Sequence, residues 1–298
     1  MLEKIDVNKK LKSAEYDALM EPLVIRIGEL QRRCKEEGIP LVIFMEGLEA
    51  SGKGTMINRM IRPLDPRGFQ VFTMEKESED DAMHPYLWRF LTKMPARGRI
   101  GIFDSSWYQG VRQGLITPEE LADAERQLTD DGAIVAKFFL LISKEEQANR
   151  LKNLDKNKET KWRVKEKDWK ENKKFDKALA EYDEILHASD KANAPWTIVE
   201  AMDKRYATYK IIQDLVQKME AALGRKNKPD PIYVEEDKAD LRNRVLQGID
   251  LNKSLTQEEY RKKKKDLQAR LSRLHNEMYL QRLPVVLAFE GWDAGGKG

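Results

Sequence analysis

The sequence predicts an α/β fold: a doubly wound parallel sheet with helices on both faces. Three observations carry that reading. Short apolar runs alternate with amphipathic stretches, a glycine-rich loop joins the first run to a helix, and a block of sequence returns later in the chain in the same register.

The apolar runs fall at 41–45, 69–74, 99–103, 134–142 and 196–199. Each is short, rich in Val, Ile or Phe and largely free of charge, as suits strands covered on both faces. Between them, helical patterns cover 13–36, 53–61, 84–93, 118–128, 144–154, 166–189 and 205–223. The leader helix 13–36 carries Leu19, Leu23, Ile27 and Leu30 at helical spacing, an apolar face fit to pack on a core or an interface. The tryptophans Trp162, Trp169 and Trp196 are expected as packing residues.

The repeat sets the domain organisation. KIDVNKKLKSAEY from Lys4 returns as GIDLNKSLTQEEY from Gly248, and PLVIFMEGLEASGKG from Pro40 returns as PVVLAFEGWDAGGKG from Pro284, both at an offset of 244 residues. Two separated blocks in one register define a unit, a leader helix followed by a P-loop domain. The expectation is a first P-loop domain over 1–224, a linker over 225–247 in which two prolines and scattered charge follow Gly224, and the opening of a second, truncated P-loop domain over 248–298.

The loop Gly47-Leu-Glu49-Ala50-Ser51-Gly52-Lys53-Gly54 fits G-x-x-x-x-G-K between a strand and a helix, the context that pattern requires. Glycines let successive N–H groups curl around an anion, and the helix start adds the positive end of its dipole. Lys53 brings a point charge to phosphate oxygens. The usual Ser/Thr position holds Gly54 and the hydroxyl follows at Thr55, so a metal-holding oxygen is displaced by one residue or supplied elsewhere. The fold expectation thereby sharpens to a P-loop kinase-like sheet with a helical lid.

The run Ile100-Gly-Ile-Phe-Asp104 ends an apolar strand in an acid, the arrangement of a Walker B strand that holds Mg²⁺ beside phosphates; an Asp capping the next turn is the plainer alternative. Residues 152–174 form a basic stretch, with Lys161, Arg163 and Lys165 at its centre, where P-loop kinases carry a lid. Its interleaved acids also fit a solvated helix. The three histidines, His84, His187 and His275, suggest no chemistry, and no Cys/His cluster suggests zinc.

Composition excludes other classes. Of 298 residues 41% are hydrophobic and 35% charged, yet the formal net charge is +3 and the mean hydropathy −0.68. Charge so nearly balanced, with no recognition motif, argues against nucleic acid despite the cationic run at 261–265. One cysteine, Cys34, excludes an internal disulfide framework. The opening MLEKIDVNKK lacks a signal-peptide core, and no apolar run is long enough to cross a bilayer, so the expected setting is cytoplasmic with no membrane partner.

With these residues in view, the chain resembles the polyphosphate kinase 2 family, above all those polyphosphate:AMP phosphotransferases that fuse two such domains. The likeness rests on the loop in its G-K-G form, LDPRG at Leu64–Gly68, FDSSWY at Phe103–Tyr108 and APW at Ala194–Trp196. It implies Mg²⁺-dependent transfer of a terminal phosphoryl group from inorganic polyphosphate to AMP, giving ADP. By the same resemblance, Gly47, Ala50, Ser51, Gly52, Lys53, Gly54, Thr55 and Arg59 would grip phosphates. Glu49, Lys53 and Asp104 would stand at the reaction centre, and Lys161, Arg163 and Lys165 in the lid. In the second copy Gly291, Gly296 and Gly298 would bind phosphate beside Asp293 and Lys297. The protein would self-associate or pack on its second domain.

The departures matter as much. The family's loop Asp is Glu49 here, while the second copy keeps Asp293, and the Arg of D-R-S-W-Y is Ser105, which removes a bidentate phosphate fork. Asn58 stands where a Lys is often found, with Arg59 beside it. The first copy is therefore expected to be weak or non-catalytic and the second to be the working one. An ATP-dependent nucleotide kinase and a non-catalytic P-loop scaffold stay open as alternatives.

Overall fold

The computed structural model describes residues 2, 5–74, 77–224, 249–250 and 252–291. It divides into two units, one of Met1–Lys76 with Tyr86–Pro231, the other of Glu77–Pro85 with Ile232–Gly298.

The first unit is built on a five-stranded, all-parallel sheet in the order β2-β3-β1-β4-β5, from β1 (Leu41–Gly47), β2 (Phe69–Thr73), β3 (Ile100–Asp104), β4 (Ile134–Leu141) and β5 (Trp196–Glu200). The central strands β1 and β4 are buried along their whole lengths, as the unbroken apolar runs predict. Alternate side chains feed two cores. Leu41, Ile43, Met45, Ala136 and Phe138 face the layer of α1 (Ser13–Glu36), α2 (Lys53–Met60) and α9 (Lys204–Leu223). Val42, Phe44, Val135 and Phe139 face the other layer, of α4 (Tyr108–Arg112), α5 (Pro118–Asp130) and α8 (Phe175–Ser189). Strand β2 departs from the expectation of burial on both faces: it is the sheet edge, and Val71 is exposed.

Several helix boundaries follow from capping chemistry. Thr117 caps α5 in a reciprocal capping box with Glu120, and Pro118 occupies the first turn, where its missing N–H costs nothing. Ser143 caps α6 (Lys144–Lys156), and Asp203 caps α9 by accepting from Tyr206 N–H. The leader α1 packs along α9 and buries Ile27 and Leu30, the face its spacing predicts.

Three local expectations are corrected. The helix expected over 84–93 is the single turn α3 (Trp88–Leu91), because Pro85 disfavours helical backbone just before it. The stretch 166–189 is two helices, α7 (Glu166–Lys173) and α8, broken at Lys174, whose ψ of 25° leaves the helical region. Trp162 is not a packing residue: it lies 75% exposed, its indole N–H donating to the Glu159 carbonyl and Arg163 stacked on its ring.

In the second unit, Thr256 caps α10 (Gln257–Gln281) in a capping box with Glu259. This helix begins 244 residues after α1 begins. The run 285–289, counterpart of β1, pairs with no strand among the described residues and is exposed. A central strand needs neighbours on both edges, which β3 and β4 give β1. The expected linker 225–247 and the second-copy residues Asp293, Gly296, Lys297 and Gly298 lie outside the described residues; Gly291 is described and exposed.

Candidate active site

The loop leaving β1 has a backbone that few residues tolerate. Gly47 sits at φ +148°, where an added Cβ would meet Ser51 Oγ at 2.7 Å and the Leu140 carbonyl at 2.9 Å. Ala50 (φ +56°) and Gly52 (φ +102°) both take left-handed backbone, so the chain curls on itself before α2 starts at Lys53. Among the described residues no side chain caps the start of α2, whose first-turn N–H groups have no acceptor within their own helix and suit an anion. Lys53 Nζ donates back to the Gly47 carbonyl at 3.0 Å, which folds the ammonium over the mouth of the loop. Gly54 and Thr55 lie exposed on the same first turn, and Arg59 follows one turn on, half-buried.

Strand β3 lies beside β1 in register, pairing Met45 with Asp104, and so delivers the Asp104 carboxylate to the loop. A Cβ on Gly54 would stand 3.9 Å from Asp104 Oδ2. The Lys53, Asp104 and Gly54 constellation expected from sequence is therefore brought together. Burial pushes the Asp104 carboxyl above the usual carboxylate range; Lys53 opposes that shift and the nearby Glu49 adds to it. Ser105 takes left-handed backbone (φ +66°), and its N–H donates to the Met45 carbonyl at 3.2 Å, turning the chain sharply into α4.

Glu46, one residue before the loop, is a site residue the sequence reading missed. It is buried, and accepts from Ser106 N–H at 2.6 Å, Ser106 Oγ at 2.7 Å and Gln109 Nε2 at 3.3 Å. It ties the turn after Asp104 to β1. Burial raises its pKa, with Lys53 and Ser106 pulling it down. A lone acid at the end of an apolar strand was the available signal.

The wall opposite is made by α6 and α7. Glu49 N–H donates to Glu171 Oε1 at 2.9 Å, and Gln147 Nε2 donates to the Glu49 carbonyl at 3.0 Å. The Glu49 carboxylate pairs with Lys167 Nζ at 3.3 Å. Arg150 donates to the carbonyls of Ala50, Ser51 and Ala201. Lys161, Arg163 and Lys165 stand exposed on a short 3-10 turn and the loop after it, between α6 and α7.

A second buried charge lies in the α4, α5 and α8 layer. Lys137, fully buried in β4, donates to Glu125 Oε2 at 2.7 Å, to the Ser189 carbonyl at 2.8 Å and to the Tyr108 hydroxyl at 3.1 Å. Burial lowers the Lys137 pKa and raises that of Glu125. All three Lys137 protons have partners, and the pair anchors α5 and the start of α4 to the sheet.

Among the described residues no three His, Cys, Asp or Glu side chains gather as a metal cage, and no helix is long and apolar enough to cross a membrane. Asp104 on its own suits Mg²⁺, which takes one or two carboxylates and completes its shell with phosphate and water oxygens.

The family model of polyphosphate kinase 2 matches residues 10–227 and again 254–298. The chain belongs to the polyphosphate kinase 2 family. Among its curated relatives are two proteins named polyphosphate:AMP phosphotransferase. That of Pseudomonas aeruginosa is 30% identical over 313 residues and that of Pseudomonas syringae pv. tomato 29% over 317. Both alignments cover 100% of this chain and 63% of the relative, so the chain spans less than two thirds of either. A crystal structure from Pseudomonas aeruginosa PA01 assigned to polyphosphate kinase 2 superposes with a TM-score of 0.72 at 32% identity, over 76% of this chain and 51% of that one. The first match, 10–227, contains the whole parallel sheet and its P-loop.

Proposed function

We propose that the first unit grips inorganic polyphosphate in the Lys53 loop, and that the protein transfers its terminal phosphoryl group to AMP. The observation that carries this reading is the approach of the Asp104 carboxylate to Gly54 and into the field of Lys53, at the mouth of a loop curled by Ala50 and Gly52. Gly47, Ala50, Ser51, Gly52, Gly54 and Thr55 supply the backbone cradle, Arg59 adds charge, and Lys161, Arg163 and Lys165 cover the polyanion. In the reaction a phosphate oxygen of AMP attacks the terminal phosphorus. The P–O bond to the chain breaks, ADP leaves, and the shortened polyphosphate keeps the bridging oxygen. Mg²⁺ held by Asp104 would neutralise charge on the phosphates. Lys53 leaves the Gly47 carbonyl to follow the charge on the transferred group.

Catalysis of this kind is positioning and charge neutralisation, and the first unit lacks two of its instruments. Glu49 stands where the family has Asp and is paired with Lys167, and Ser105 carries no guanidinium where the family has Arg. Loss of an arginine of that kind costs about 10³-fold or more. In this reading the first P-loop domain, 1–224, binds without efficient turnover, and the second, from 248, carries the chemistry through Asp293 and Lys297. The first unit supports it by packing on it or by self-association. The pairing of Glu49 with Lys167 also favours a second reading, a non-catalytic P-loop scaffold. A cytoplasmic setting, with reduced thiols, fits the buried free Cys34, whose pKa burial raises to about 11.

The test supplies polyphosphate or ATP separately, with AMP and Mg²⁺, to the 298-residue chain and follows binding and ADP. Tight polyphosphate binding with slow, polyphosphate-dependent ADP formation is expected. Turnover with ATP alone would assign it to ordinary nucleotide kinases. Binding with no turnover, even after Asp and Arg are restored at positions 49 and 105, would assign the unit to scaffolds.

A further inference from the structure

Three successive carbonyls of the P-loop, those of Glu49, Ala50 and Ser51, all point at one face of α6. Gln147 Nε2 takes the Glu49 carbonyl at 3.0 Å. Arg150 Nη1, one turn on, takes Ser51 at 2.8 Å and Ala50 at 3.3 Å. The other arm of the guanidinium, Nη2, reaches the Ala201 carbonyl beyond β5 at 2.7 Å, and Nε is held by Glu146 Oε1 at 2.6 Å. Gln147 is itself fixed: it is fully buried, and its carbonyl oxygen accepts from Asn172 Nδ2 at 2.9 Å.

We infer that Gln147 and Arg150 are positioning residues that set the P-loop for anion binding before any phosphate arrives. This rests on the phosphate-binding reading of the loop. A trans peptide is planar, so a carbonyl pinned toward α6 sends the following N–H the opposite way. Pinning Glu49 and Ser51 thus aims the N–H groups of Ala50 and Gly52 away from α6, and Ser51 N–H is spent on the Leu48 carbonyl at 3.1 Å. Ala50 needs the brace most. Its left-handed backbone is costly for a residue with a Cβ, and persists only where the surroundings over-determine it. The brace also fits tightly, since a Cβ on Gly52 would meet Arg150 Nη1 at 3.3 Å. Only a planar fork can serve the loop and Ala201 at once, so lysine, a point donor, cannot replace it. Neither residue touches the reacting atoms.

The experiment compares the 298-residue chain with Arg150→Lys, which keeps the charge, and Gln147→Leu. Two readouts are used: titration with inorganic tripolyphosphate and Mg²⁺, and amide hydrogen exchange of the loop without anion. The expected result is affinity about 10-fold lower in each variant, since small misplacements in such sites are costly, with faster exchange confined to the loop. Parental affinity and exchange in both variants would overturn the proposal, as would a lowered melting temperature with unchanged affinity, which marks a merely structural role. If the parent chain fails to bind tripolyphosphate while loop exchange still quickens in the variants, the functional reading falls and the brace stands. If Arg150→Lys does not fold, Glu146→Leu decides: it removes the acceptor that holds Arg150 Nε, and unchanged loop exchange there overturns the brace.

Discussion

The P-loop and the basic segment after α6 both present cations, and the fold treats them in opposite ways. In the loop, Lys53 is one donor on a backbone fixed from several sides, by Arg150, Gln147 and Glu171 on one flank and by β1 on the other. In the basic segment, Lys161, Arg163 and Lys165 stand exposed, and their neighbour Lys170 pairs with Glu166 on its own helix. The difference separates two jobs. A preorganised cradle pays its conformational cost at folding and binds in one geometry. An exposed cationic segment acts through its field, which salt screens.

Substitutions should separate those jobs. The largest effect is expected from Lys137→Met, which strands the buried Glu125 carboxylate and should cost about 3–5 kcal/mol of stability. A chemical denaturation curve reads it. Tripolyphosphate affinity per folded molecule should stay at the parental value, because this lysine holds the α5 layer and not the loop. Lys53→Met should lower tripolyphosphate affinity by about 10²-fold, of the order of two strong charge-assisted bonds, with little change in melting temperature. If the basic segment alone retains the affinity, the contrast between the two regions is wrong.

Asp104→Asn should abolish the Mg²⁺-dependent part of binding. It should also raise the melting temperature of the metal-free chain by a few degrees at neutral pH. The sign follows from the raised carboxyl pKa: the buried charge is the costly form, so stability is gained as pH falls through that value and is lost above it. In the parent, Mg²⁺ dependence should fade with falling pH sooner than an ordinary aspartate would allow. Titration calorimetry across pH checks both. The smallest effect belongs to the triple Lys161→Ala, Arg163→Ala, Lys165→Ala: about a threefold loss at low salt that vanishes at high salt, as screening of exposed charge requires.

The sheet was legible because burial on both faces leaves unbroken apolar runs, and α1 because Leu23, Ile27 and Leu30 repeat at helical spacing. The loop and Asp104 were legible because positive φ and strand-end acids leave marks in local sequence. Gln147, Arg150 and Glu171 left none: on α6 and α7 they read as ordinary polar residues of solvated helices, and only the parallel packing of β1 against β4 carries them to the loop. The lone Lys137 inside an apolar strand was a signal of a buried pair, and its partner Glu125 had to come from another element. The break at Lys174 was hidden because helical periodicity continues across it.

The most direct measurement is the rate of polyphosphate-dependent ADP formation by the 298-residue chain beside its Glu49→Asp, Ser105→Arg double variant. Position 105 already carries a side chain on left-handed backbone, so the arginine adds no new backbone strain there. Equal polyphosphate affinity is expected, with a rate about 10³-fold higher in the double variant. A parent chain that turns over as fast as the variant would contradict it.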